Sequence, residues 1–331
     1  MSTRPTVKDV AKLANVSIAT VSHVINGTRY VSPEVTEKVQ TAMREINYIY
    51  NNAARSLRSN KTNTIGIIIP NIANPFFANT VNSIETVLNQ NGYKILLCHS
   101  SDNQEKEMEQ LESFGDGRVD GVILSPASPR LDYSQLPIFQ KVPFVFFDRR
   151  PHMSQYCGAF INMYDATKYA VEQLVLAGHT KIGLIIGIAR FSTTSDRRRG
   201  YEDALQKNGI SILENLILTC PTTEQNGYER MRHLIQNTDC TAVFVANNLL
   251  SLGAMRYLRE AKVEVPKRIS VIGLASKDWV GVTQPPLTTI HEPLEDLGTT
   301  TAELMLQRLN GEDIQNKQIT LPAFLSERTS Y

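Results

Sequence analysis

An all-α N-terminal unit joined to a larger α/β body of two doubly wound lobes, each on a parallel sheet, is the fold class that this 331-residue sequence predicts. Three observations carry it. The length suggests two or three domains rather than one. Residues 6–47 space their apolar side chains as helices do, whereas from Thr64 short continuous apolar runs recur between helix-like stretches. Charge divides the chain at the same place: residues 1–61 hold nine Lys/Arg against four Asp/Glu, and the remainder holds 25 against 29. A small basic head on a mildly acidic body fits a polyanion-binding module attached to something else.

The head reads as three short helices. Val7, Val10, Ala11 and Ala14 fall at i, i+3, i+4 and i+7 and form one apolar stripe. Asn15-Val16-Ser17 interrupts it, and Ser17 can cap a second helix buried through Val21, Val24 and Ile25. Asn26-Gly27 stops that helix. Ser32-Pro33-Glu34 then places Ser at an N-cap and Pro at the first helical position, ahead of Val35, Val39, Ala42, Met43 and Ile46.

In the body, apolar runs appear at Ile65–Ile69, Ile95–Cys98, Val122–Leu124, Phe144–Phe147, Ile182–Ile186, Ala242–Val245 and Ile269–Ile272. Such runs alternating with helices predict buried parallel strands in βαβ units. The series is long enough for two lobes, the second over roughly 164–290. Ligands of such sheets bind beyond the carboxyl ends of the strands, so the default pocket is the cleft between lobes.

Several function classes are excluded at this level. No stretch approaches the roughly 18 apolar residues of a membrane span. The start, Met1-Ser-Thr-Arg-Pro-Thr6, has no apolar export signal, so a cytoplasmic chain is expected. Cys98, Cys157, Cys220 and Cys240 are scattered, which predicts free thiols rather than disulfides or a metal site. No P-loop, GxGxxG, HExxH or GxSxG is present, so neither an enzyme nor a cofactor is expected.

The segment Thr6–Asn26 (TVKDVAKLANVSIATVSHVIN) has the form of a helix-turn-helix, whose second helix can lie in the DNA major groove. Ser17, Thr20 and Ser22 would reach phosphates, and Ile18, Ala19 and His23 would face base edges. Spacing alone fits a plain three-helix bundle equally well. The segment closely resembles the headpiece of the lactose-repressor family, and the similarity continues through the whole chain. Within that family, Thr20–Arg29 (TVSHVINGTR) is most similar to the purine-repressor branch, with His23 where many members carry Arg. The resemblance implies a sequence-specific transcription repressor. It divides the chain into a headpiece (1–49), a hinge helix and linker (50–62) and a periplasmic-binding-protein-like effector and dimerisation domain (63–331).

Asn47–Arg58 (NYIYNNAARSLR) resembles the family's hinge helix, with Leu57 as the minor-groove wedge and Arg58 beside it. The implied DNA-facing set also includes Thr6, Asn26, Arg29, Tyr48, Asn51 and Arg55. A near-palindromic operator with a central CpG step is expected. Relatives bind as dimers, and the chain ends at Tyr331 without an apolar heptad tail, so a homodimer is expected.

Further matching stretches are Ile65–Phe77, Val119–Leu124, Ala177–His179, Ala246–Met255 and Pro285–Pro293. Carried over position by position, the effector residues are Asn74, Phe76, Phe77, Ser125, Asp148, Phe191, Arg197, Asn247, Ala275 and Gln284. Each has a bland alternative: the phenylalanines as core, Asp148 with Arg149 as a surface ion pair. Two positions depart from the family. Asn248 and Ala275 stand where relatives place Asp. Losing two carboxylates while keeping Arg197, with Lys277 and Arg149 near, points to an anionic effector such as a sugar acid or sugar phosphate. A neutral sugar, a regulator answering mainly to a protein partner, and a solute-binding protein are the alternatives.

Overall fold

In the computed structural model, residues 5–26, 29–48, 61–115, 117–128, 130–275 and 277–331 are described. The side chains of Asn26 and Lys277 lie outside that description, as do residues Asn51, Arg55, Leu57 and Arg58. The chain forms two compact units, Met1–Thr62 and Asn63–Tyr331.

The first unit holds the helices Val7–Leu13, Ile18–Asn26 and Pro33–Glu45. The first opens on a capping box: the Thr6 backbone N–H and hydroxyl donate to the Asp9 carboxylate at 2.8 and 2.7 Å. Asn15, in the left-handed region at φ +52°, turns the chain between the first two helices. The Ser17 hydroxyl oxygen then accepts from Thr20 N–H at 3.0 Å. Ser32 caps the third helix, with Pro33 at its first position. Val10, Ala11, Ala14, Val21, Val39 and Ala42 make the buried core, flanked by Val7, Val16, Val24, Ile25, Met43, Ile46 and Tyr48. The small alanines let the helices approach closely.

The second unit contains two six-stranded sheets. The first joins β1 (Thr64–Ile69), β2 (Lys94–His99), β3 (Gly121–Leu124), β4 (Phe144–Phe147), β5 (Gly158–Asn162) and β11 (Gln318–Pro322), all parallel, in the order β11-β5-β4-β3-β1-β2. The second joins β6 (Ile182–Ile186), β7 (Ile217–Thr219), β8 (Ala242–Val245), β9 (Ser270–Leu274), β10 (Thr288–His291) and β12 (Phe324–Ser326), in the order β12-β10-β9-β8-β6-β7. Only β12 runs antiparallel within it. The chain passes between lobes after β5, after β10 and between β11 and β12.

The apolar runs of the body became β1–β4, β6, β8 and β9, and all but β2 form the buried cores; β2, at a sheet edge, is half-buried or exposed along its length, with Leu96 open to solvent, so it is not the buried strand its run predicts. Of the remaining strands, β5 carries a short buried apolar run, Ala159–Ile161, and the others carry less. β11 alternates exposed and half-buried residues at a sheet edge, and β7 has only three residues.

The helices Glu224–Asn237 and Asn248–Glu260 meet backbone to backbone. A Cβ on Gly253 would collide with the Glu224 carbonyl oxygen, and one on Gly227 with that of Leu250. Behind β8 and β9, His179 joins Thr241 Oγ1 through Nδ1 at 2.9 Å and Ser270 Oγ through Nε2 at 3.0 Å. Burial lowers its pKa, which suits a structural tie. Cys157, Cys220 and Cys240 are buried, Cys98 is half-buried, and all four are free.

Candidate functional site

In the first unit the candidate surface is the helix Ile18–Asn26 and its approach. Val21 is fully buried and fixes the helix's inner face. Ser17, Ile18 and Ala19 are exposed at its start, and Thr20, Ser22 and His23 are half-buried beside them. Ile18 keeps 46% of its surface exposed, an apolar group held outward at a helix start. Thr6 and Arg29 are exposed as well, and Tyr48 packs on the core. Sequence-predicted phosphate and base-edge residues thus share one helix end.

In the second unit a cavity of about 410 Å³ lies between the lobes at the carboxyl ends of their strands. Asn74, Phe76, Phe77, Asp148, Phe191, Arg197 and Asn247, all named from sequence, line it. Asn74 caps the helix Pro75–Gln90, its Oδ1 accepting from Phe76 N–H at 3.1 Å. Asn247 does the same for Asn248–Glu260, accepting from Leu249 and Leu250 N–H at 2.9 and 3.3 Å. Phe77 meets Phe76 and Phe147 edge-on at 5.0 and 6.3 Å, so it is core and cleft wall at once.

Three predicted residues stand elsewhere. Ser125 is fully buried and touches the site only through Asp148, donating to its Oδ2 at 3.4 Å. Ala275 lines an adjoining cavity of about 620 Å³ that shares Phe76, Asn248 and Glu292 with the cleft. Gln284 is exposed and does not line the cleft.

Electrostatically, Arg197 dominates. Its Nη1 donates to the Ala246 carbonyl and its Nη2 to Glu292 Oε1, both at 3.3 Å, while its buried Nε has no partner among the described residues. Burial pushes the Glu292 carboxyl up to about 7; Arg197 pulls against this and Asp148 adds to it. Burial likewise raises Asp148, which sits at φ +62° after β4, against the pull of Arg149 and Arg197. Arg149 donates to Asp102 at 2.6 Å and lies 3.6 Å from the Phe191 ring centre. Arg190 covers the same ring at 4.8 Å. Deeper in the first lobe, Glu107 accepts from Tyr133 Oη and Ala127 N–H, each at 2.6 Å. Burial pushes its carboxyl up to about 6.

The excess positive charge expected from the sequence is offset here. Asp102, Asp148 and Glu292 line the same cleft as Arg149, Arg190 and Arg197. Glu292, Asp102 and Arg190 are charged lining residues that the sequence did not place in the site, and Asn248, noted there as a departure from the family, lines it too. Glu292 follows the carboxyl end of β10, so the strand-end rule would have found it had Thr288–His291 read as a strand. Among the described residues no cluster of His, Cys, Asp and Glu could hold a metal ion. No described helix is long and apolar enough to cross a membrane.

A helix-turn-helix unit and a separate two-lobed unit with a polar interlobe cleft define a DNA-binding regulator that carries its own sensor. Comparison with known proteins agrees. Residues 6–51 match the profile of bacterial regulatory proteins of the lacI family, and residues 171–331 that of periplasmic binding protein-like domains. The ribose operon repressor of Escherichia coli (strain K12) is 33% identical over 98% of this chain and 99% of its own. The HTH-type transcriptional repressor PurR of Histophilus somni (strain 2336) is 34% identical over 96% of each. A lac repressor dimer bound to operator and the anti-inducer ONPF superposes with a TM-score of 0.86, at 28% identity over 99% of both chains. The chain belongs to the lacI family: it is a DNA-binding transcription regulator and not an enzyme.

Proposed function

We propose that the chain is a homodimeric repressor of a near-palindromic operator with a central CpG step, released from or recruited to DNA by a sugar-class ligand in the interlobe cleft. The operator reading follows from the family headpiece at Thr6–Asn26 and the hinge-like segment at Asn47–Arg58.

The carrying observation for the ligand is the Arg197–Glu292 pair at 3.3 Å, walled by Phe76, Phe77 and Phe191. A sugar ring offers apolar faces to aromatic walls and hydroxyls that both donate and accept. Arg197 supplies donors with fixed geometry, and Glu292 and Asp148 supply acceptors. Asp102, Asp148 and Glu292 offset Arg149, Arg190 and Arg197, so the cleft accepts a neutral ring and does not require an anion.

Calorimetric titration of the full chain with aldoses and their acid and phosphate derivatives tests the assignment. Arg197→Gln abolishes ligand binding and leaves operator affinity within about twofold. Unchanged sugar binding in that variant removes Arg197 from the site.

A further inference from the structure

Across Phe191 from the cleft lies a second cavity, of about 300 Å³, whose lining is unlike the first. Arg149, Arg150, Arg190 and His152 face it, with the hydroxyls of Ser192 and Ser195, and among the described residues no carboxylate does. It is built from both lobes. Arg149, Arg150 and His152 follow β4 in the first, whereas Arg190, Ser192 and Ser195 open the helix Ser192–Lys207 in the second. Phe191, the N-cap of that helix, offers no side-chain acceptor, and its first turn holds no acid. First-turn amides lack intrahelical acceptors and carry the positive end of the helix dipole.

The arginines are held but not saturated. Arg149 gives its Nη1 to Asp102 and to the Pro126 carbonyl, and its buried Nε has no hydrogen-bond partner, lying 3.7 Å from Asp148. Arg150 gives its Nη1 to Asp196 at 3.1 Å and rests on Phe160 at 4.9 Å. Arg190 donates to a backbone carbonyl, that of Asp102, at 2.7 Å. Each guanidinium has five N–H donors, so most remain for a ligand. Asp102 and Asp196 compensate Arg149 and Arg150 from outside the cavity, whereas Arg190 is held by a backbone carbonyl, so its charge is the one left for an anion to meet.

We propose that this cavity is an oxyanion site for a phosphoryl or carboxylate group, distinct from the sugar cleft. Occupancy joins Arg149, Arg150 and His152 of one lobe to Arg190 and the Ser192 helix of the other. An anion therefore favours the lobe arrangement seen here over any in which the two sets part. Arg149, Arg190 and Phe191 line both cavities. The group can thus come free from solution or as the charged end of a molecule whose ring sits in the cleft.

Ser195 and His152 are exposed and line this cavity but not the cleft, so Ser195→Asp and His152→Ala test it without touching the proposed sugar contacts. Inorganic phosphate is titrated into the full chain at constant ionic strength against chloride, and hexose 6-phosphate against the parent hexose. Phosphate binds the wild type, and Ser195→Asp weakens it by about tenfold or more. If only the hexose phosphate is weakened, while the hexose is unaffected, the anion arrives on the cleft ligand. The proposal is overturned if phosphate and hexose phosphate bind wild type and both variants alike, or if phosphate binds no better than chloride and hexose phosphate no better than the hexose. Loss of all sugar binding in Arg197→Gln reports on the cleft alone, so the two readings fail separately.

Discussion

Arg197 and Glu292 stand 95 positions apart in the chain and meet at 3.3 Å with only 11% and 12% of their side chains exposed. Removing one member of a buried pair strands the other. The two removals are unequal, because Glu292 can take up a proton and Arg197 cannot give one up. Glu292→Ala therefore destabilises the second unit by about 3–5 kcal/mol above pH 7, where the carboxylate is ionised, and Arg197→Ala by about half of that or less near pH 6, where it is protonated. Urea unfolding of the full chain measures both. Equal losses would mean that the stranded carboxylate stays charged.

The same carboxyl sets a pH dependence. Glu292 lies at about 7 and Glu107 at about 6 in the folded chain, both above the ordinary 4.5. Folding therefore favours their protonated forms. Their contribution is complete below pH 4.5 and is lost as pH rises through about 6 and then about 7. Glu292→Gln, which carries no titrating proton, flattens the upper part of this decline. Parallel stability profiles for wild type and variant between about pH 5 and 8 would place the folded-state pKa of Glu292 near its ordinary value.

Gly253 is the packing test. Alanine there drives a methyl group into the Glu224 carbonyl oxygen, so the two helices must part. Overpacking of this kind costs about 1–3 kcal/mol, and a backbone clash belongs at the upper end or beyond. Gly281, with nothing within 4 Å of its notional Cβ, is the control and is expected to change little. Comparable unfolding midpoints for Gly253→Ala and Gly281→Ala would show that the helix pair has slack.

On DNA, Leu57→Ala is expected to remove most of the preference for a CpG-centred operator over scrambled duplex. The salt-dependent affinity for both remains, because Lys8, Lys12, Arg29 and Arg55 are still available for phosphates. Pyrimidine–purine steps unstack most readily, which is why the wedge belongs at that step. His23→Ala is expected to cost about 1–3 kcal/mol at one half-site position only. Titrations on both duplexes at two salt concentrations separate the effects. Equal weakening on both by Leu57→Ala would show that Leu57 is not a specificity wedge.

A homodimer is expected in solution. Light scattering then returns twice the 37.0 kDa chain mass across the micromolar range. A stable tetramer, or monomer alone, rejects it.

What the sequence could reveal divides along physical lines. Helical stripes such as Val7-Val10-Ala11-Ala14 and buried runs such as Ile65–Ile69 advertise themselves, since burial on one face or both imposes a period. An edge strand need not: Gln318–Pro322 shows water every second residue and reads as loop, although the opposite edge, Lys94–His99, keeps an apolar run. Within the cleft, residues at the ends of legible strands, Asp148 and Asn247 among them, could be named in advance. Glu292 and Arg190 could not. The first follows a strand rich in threonine, and the second owes its place to the ring of Phe191 and the Asp102 carbonyl, 88 positions away. The charge of a pocket is a property of all its walls, and Asp102 and Glu292 enter that count only once the fold brings them to the cleft.

The interleaved order of strands has a consequence for how the protein is made. The first sheet receives its edge strand β11 from residues 318–322, and the helix Leu294–Leu309 that packs on it also follows β10. The second sheet closes with β12, later still. A nascent chain leaving the ribosome can thus complete its N-terminal unit early, yet neither lobe until synthesis is nearly over. Through that interval the open sheet edges and the uncovered face of the first lobe are exposed, the condition under which chaperones are needed. A stop codon just before β11 leaves both lobes unfinished, and one in the middle does not leave even the first lobe complete.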